Sequence, residues 1–196
     1  MISLTEKERE AVLILLKEYT RHYNAHTLSK TLNISHAGTQ KLLKRLLAEN
    51  ILVSKMIGKS IVYKLKLDDD YAGKLISLIL TDEANGFKRW KAEFNALYKN
   101  GRIIMIFGSA IKDYKSSKDI DILIVINKSE TNEINKFIKE KQEILPKKLH
   151  ALKLTKQDLI ENLKKKDAVI VDIIKNAIVL CGQDEYWEVM KNVSML

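Results

Sequence analysis

An apolar run, Ile103 to Phe107, ends in Gly108-Ser109. After a nine-residue spacer a second run opens as Asp119-Ile120-Asp121-Ile122-Leu123-Ile124-Val125. Two such runs predict adjacent strands, and the acidic pair fixes which face of the second strand meets solvent. Successive strand side chains alternate, so Asp119 and Asp121 share one face. Their Cα atoms lie about 7 Å apart at the usual strand rise. Leu123 and Val125 continue that face as apolar residues. The face is therefore expected to be buried except at its first turn, where a cleft opens. Two carboxylates at this spacing suit Mg²⁺ (or Mn²⁺), which takes oxygen ligands and is often completed by substrate phosphates.

The Gly-Ser, spacer, Asp-x-Asp pattern resembles the nucleotidyltransferase superfamily in its minimal archaeal and bacterial form. The resemblance covers roughly residues 85–196, including Ala177-Ile178-Val179-Leu180-Cys181-Gly182 and Glu185-Tyr186-Trp187. It implies an α/β domain, a mixed sheet flanked by helices. Asp119 and Asp121 would be the catalytic, metal-binding pair, and Gly108, Ser109 and Lys112 would meet the NTP phosphates. The physics agrees: glycine lets backbone approach a ligand closely, and a helix starting at Ser109 would offer its amides to an anion. Two departures stand out. The segment Ala110-Ile111-Lys112-Asp113-Tyr114 has a lysine but no glycine. The strand expected at Lys148 to Leu154 has no Asp or Glu, where active members carry a third carboxylate. It offers only His150, and a lone histidine is more often a packed or solvated strand residue.

The net charge of +9 is concentrated at the start: residues 1–67 hold 12 Lys+Arg against 5 Asp+Glu, a net +7. A basic module points to a polyanion partner. Thr5-Glu6-Lys7-Glu8 is a capping box, and the helix it opens is expected to run to about Tyr23. A short helix near Thr27 to Leu32 follows, then a turn at Asn33-Ile34-Ser35 and a helix from His36 to about Glu49. Strands Ile51–Ile57 and Ser60–Leu67 flank a Gly58-Lys59 turn. This order resembles winged helix-turn-helix regulators and implies binding to double-stranded DNA. On the third helix Leu42, Leu43, Leu46 and Leu47 fall on one face. Recognition helices put their first residues against base edges, so His36, Ala37, Gln40 and Lys41 are the expected base-proximal residues, Gln40 suiting adenine. Lys44, Arg45, Lys55 and Lys59 are the expected phosphate contacts.

A connecting helix is expected over 68–84, apolar from Tyr71 to Leu80 and broken from Thr81 to Gly86. Its apolar surface suits either a homodimer contact or a seam within the chain. Phe87 to Asn100 is expected to be one helix, its Trp90, Phe94, Leu97 and Tyr98 stripe facing the core. Ser129 to Leu145 reads as a charged helix ended by Pro146, and Thr155 starts another.

The single Cys181 excludes a disulfide framework and, within an apolar run, is expected to be buried. The four histidines show no ligand spacing. The start, Met1-Ile2-Ser3-Leu4-Thr5-Glu6-Lys7-Glu8, soon turns charged, with no signal peptide pattern, and no apolar run approaches a membrane span. A cytoplasmic location is expected. The whole reads as two domains, winged helix-turn-helix over 1–67 and nucleotidyltransferase-like over 85–196. The function expected is DNA-binding transcription regulation, with Mg-NTP bound and transfer weak or lost. The alternative is an active enzyme moving NMP to a protein or small-molecule acceptor, including antitoxin-like modification of a toxin partner.

Overall fold

The computed structural model describes residues 3–194, so the outermost two residues at each end, Met1-Ile2 among them, lie outside it. The chain forms two compact units, 1–79 and 80–196.

In the N-terminal unit, helices α1 (Glu6–Lys17), α2 (Ala25–Leu32) and α3 (His36–Ala48) precede a hairpin of β1 (Leu52–Ile57) and β2 (Ser60–Leu65). This is a winged helix-turn-helix. The capping box at Thr5 forms, and α2 and α3 are capped by Asn24 and Ser35. Leu16, Leu28, Leu32, Leu43 and Leu46 are buried where the three helices meet. Helix α1 stops at Lys17, short of the expected Tyr23. Residues 19–23 leave the helix because Tyr23 pairs with the wing: the Tyr63 amide donates to the Tyr23 carbonyl at 2.9 Å.

Helix α4 spans Asp70–Asn85 and crosses the boundary between the units. The expected break at Thr81 does not occur. Thr, Asp and Asn cost a helix well under 1 kcal/mol each, and continuing it places Ala84 in the C-terminal core. Conversely, the single helix expected over Phe87 to Asn100 is α5 (Lys88–Glu93) followed by a 3₁₀ turn, Asn95–Leu97. The tighter turn still buries Trp90, Phe94 and Leu97, so the stripe faces the core as expected.

The C-terminal sheet has the order β5-β4-β3-β6. Its strands are β3 (Ile103–Phe107), β4 (Asp119–Val125), β5 (Lys148–Leu154) and β6 (Ile178–Cys181), with the short α6 (Ser109–Lys112) between β3 and β4. Strand β3 is antiparallel to both β4 and β6, while β5 runs parallel to β4, so the sheet is mixed. Helices α7 (Thr131–Ile144), α8 (Lys156–Lys164), α9 (Ala168–Asn176) and α10 (Gln183–Ser194) complete the unit. From Ile120 to Val125 every described β4 residue but Asp121 is buried. Each large aliphatic side chain so buried stabilises by about 1.5–3 kcal/mol. That burial is what holds the partly exposed acidic start of β4 in place. Cys181 is half-buried and free, not fully buried as expected, and burial pushes its thiol pKa up.

Candidate metal and nucleotide site

Phe107 pairs with Asp121 across β3 and β4, which brings the next residue, Gly108, against the Asp121 carboxylate. Gly108 has φ +80°, and a Cβ there would lie 2.4 Å from Asp121 Oδ2. Only glycine satisfies both the left-handed backbone and this approach. Asp119 and Asp121 share the expected face; their side chains are partly exposed, while Leu123 and Val125 beyond them are buried.

Parallel pairing sets His150 beside Asp121. Its Nδ1 lies 3.3 Å from Asp121 Oδ1 and 3.5 Å from Asp119 Oδ2. One ligand atom from each of the three residues falls within 4.8 Å of the others. His150 is exposed, as expected of a solvated strand residue, and its ring also meets the acidic pair. Burial first, and then the Asp119 charge, hold the Asp121 carboxyl above the usual carboxylate range, against the pull of His150. Among the described residues neither aspartate has a Lys or Arg partner. The donors fit a divalent cation: two carboxylates converge, and the glycine leaves their approach open.

Helix α6 begins at Ser109 with no side chain capping it. Gly108, Ser109 and the exposed Lys112 line a cavity of about 730 Å³, faced by Val169, Asp172 and Asn176 of α9. A second cavity, about 500 Å³, lies along β5 and α7 and includes His150, Ile138 and Lys153. Phe107 lines both.

Lys147 was not read from the sequence as functional. Its ammonium donates to the carbonyls of Tyr114 (2.5 Å) and Ser117, and to the Ser117 hydroxyl at 3.2 Å. It also lies 4.6 Å from the Tyr114 ring centroid, and the Arg89 guanidinium stacks on that ring at 3.4 Å. Lys147 therefore fastens the loop between Ser109 and Asp119 to the start of β5. Lys147→Met should leave the global fold intact but raise hydrogen exchange over residues 113–118, starting with the Ser117 amide, which donates to Asp113. Unchanged exchange there would exclude the fastening role.

On the N-terminal unit, His36, Ala37, Gln40, Lys41, Lys44, Arg45, Lys55 and Lys59 are all exposed. Lys41, Lys44, Lys55 and Lys59 have no ion pair among the described residues. Arg45 differs: it bonds both carboxylate oxygens of the buried Glu8 at 3.0 and 3.1 Å and the Ser3 carbonyl at 2.6 Å. Sequence gave Arg45 a phosphate contact. In the structure its first task is to tie α3 to α1.

Residues 92–186 match the family model of the polymerase beta nucleotidyltransferases. No curated protein matches the chain significantly. Among solved structures it is similar to the adhesin competence repressor AdcR from Streptococcus pyogenes: 16% identity over 73% of this chain and 81% of that one, TM-score 0.36. It is similar also to a mutant of ZitR from Lactococcus lactis, with 15% identity over 73% and 76% and TM-score 0.35. Among the described residues no helix is long and apolar enough to cross a membrane.

Proposed function

We propose that the chain is a DNA-binding transcription regulator whose C-terminal unit binds a divalent-metal–NTP complex and transfers little or no nucleotidyl group. The observation that carries this is the pairing of an intact Gly108-Ser109 and Asp119/Asp121 geometry with histidine, not a third carboxylate, at the neighbouring position of β5. Asp119 and Asp121 hold the cation, Mg²⁺ or Mn²⁺, which when bound neutralises phosphate charge and orients the triphosphate. Ser109, the α6 amides and Lys112 take the phosphates, and the cavity of about 730 Å³ has the size of a small-molecule site. His150 directs Nδ1 at the two carboxylates, and an imidazole supplies no carboxylate oxygen where a third carboxylate would activate an acceptor. A general base typically contributes 10²–10⁴-fold, and its loss leaves binding ahead of turnover.

Titrating the four NTPs with Mg²⁺, with and without duplex DNA, tests this. Linkage requires that DNA change NTP affinity by the factor by which NTP changes DNA affinity. Equal affinities in both arms would remove the regulatory coupling. The second cavity, beside His150, supports a second reading: an acceptor site of an active transferase. Multiple-turnover pyrophosphate release, lost in Asp119→Asn, would establish it in place of the first.

The winged unit meets duplex DNA through α3 and the hairpin in this reading. Lys41→Ala and Lys44→Ala should each weaken binding and flatten the salt dependence by about 0.9 in log K against log salt. Gln40→Ala should relax sequence preference by about 1–3 kcal/mol. Arg45→Ala should instead lower the stability of the unit, because it strands the Glu8 carboxylate. No duplex binding at low salt would end the DNA reading. A homodimer belongs to this proposal, since paired winged units read paired half-sites; sedimentation measures it.

A further inference from the structure

We infer that His150 is a third ligand to the cation held by Asp119 and Asp121, and that it makes the site select a first-row transition cation such as Mn²⁺ over Mg²⁺. This rests on the metal-binding reading above and adds the identity of the cation. Three features carry it. The His150 ring nitrogen nearest the cluster, Nδ1, faces Asp119 Oδ2 and Asp121 Oδ1 together at 3.5 and 3.3 Å. Asp121 Oδ2 occupies the space that a side chain at Gly108 would fill, and Oδ1 is the oxygen turned toward His150. Finally, two like charges converge with no Lys or Arg to neutralise them among the described residues.

Donor chemistry then decides the metal. Mg²⁺ is hard, takes carboxylate, carbonyl and water oxygens, and gives up water reluctantly. Imidazole suits later first-row cations, and affinity for mixed nitrogen and oxygen sites rises from Mn²⁺ through Co²⁺ and Ni²⁺. A site of two carboxylates and one imidazole keeps enough oxygen for Mn²⁺ and gains a nitrogen bond that Mg²⁺ uses poorly. The parallel register of β4 and β5 sets Asp121 beside His150. The nitrogen donor is therefore built into the sheet and not carried on a loose loop.

The test is Mn²⁺ and Mg²⁺ binding to the full chain by calorimetry, each with a non-hydrolysable NTP analogue, together with the electron spin-echo spectrum of bound Mn²⁺. The wild type should bind Mn²⁺ at least about tenfold more tightly than Mg²⁺ and show ¹⁴N hyperfine coupling. His150→Ala should lose the coupling and most of the preference, because Mn²⁺ affinity falls more than Mg²⁺ affinity. His150→Asp should shift the preference toward Mg²⁺. Equal affinities with no ¹⁴N coupling would overturn the inference and leave the nucleotide-site reading standing. Failure of both cations to bind, even with the analogue, would overturn both readings and leave His150 as a hydrogen-bond partner of Asp121.

Discussion

Asp119→Asn with Asp121→Asn abolishes metal-dependent NTP binding and leaves the fold intact. Asparagine keeps the size and the strand register but supplies neither charge nor a bidentate carboxylate. The dissociation constant of the metal–NTP complex should rise to about 1 mM or weaker. The same change should not destabilise the free protein. Asp121 ionises against burial and against the Asp119 charge, so removing both charges relieves a repulsion that only a cation or His150 offsets. Thermal unfolding without metal should therefore show an unchanged or higher midpoint. Stabilisation by Mg-NTP in excess, present in the wild type through preferential binding to the folded state, should vanish in the variant. Calorimetry giving equal NTP affinity in the two proteins would show that the nucleotide is held elsewhere.

The largest expected loss of stability lies away from the site. Arg102, directly before β3, is 1% exposed. Its guanidinium bonds Glu130 and Glu133, each at 2.7 Å, and the Leu97 carbonyl at 3.3 Å. Lys99 joins Glu130 at 3.2 Å. Removing one partner of a buried ion pair costs about 3–5 kcal/mol. Arg102→Ala should fall near the lower figure, because Glu133 and Lys99 retain solvent. Urea unfolding measures it, and a loss below about 1 kcal/mol would reduce the network to an exposed ion pair.

The same network gives an acid dependence. The Arg102 hydrogen bonds, followed by the Asn127 amide, hold the Glu130 carboxyl at about 2, against an ordinary value of 4.5. A depressed carboxylate pKa stabilises the fold above the unfolded-state value and loses that contribution as pH falls toward the folded-state value. Wild type and Glu130→Gln should thus differ most in stability above pH 4.5 and converge as pH approaches 2. A constant difference across that window would assign the effect to packing.

Much of the architecture was legible because it depends on local pattern. Strands β3 and β5 begin and end where alternation and apolar runs put them, and Gly58-Lys59 closes the wing. The capping residues Thr5, Ser35 and Thr155 stand at helix starts. The shared face of Asp119 and Asp121 follows from the two-residue period of any strand. Periodicity was less informative for helix ends. Nothing within residues 18–23 reveals that Tyr23 will pair with Tyr63, and nothing within 81–85 shows that Ala84 will be drawn into a distant core. Both boundaries moved because a tertiary contact outweighed a propensity of less than 1 kcal/mol per residue.

The site divides the same way. The sequence by itself determined the acidic pair, the glycine and serine before it, and the absence of an acidic residue on the strand at 148–154. Only the tertiary structure decided that His150 stands beside Asp121, that Lys147 clasps the Tyr114, Lys115 and Ser117 carbonyls, and that Arg45 and Arg102 pair with Glu8 and Glu130. Residues 121 and 150 lie 29 positions apart. Their contact depends on the register between two parallel strands joined through a helix. A one-residue slip of that register would turn His150 to the opposite face. Local sequence sets which way a side chain points within its own strand. Which partner it meets is set by how the buried faces of separate elements pack, and that is a property of the whole fold.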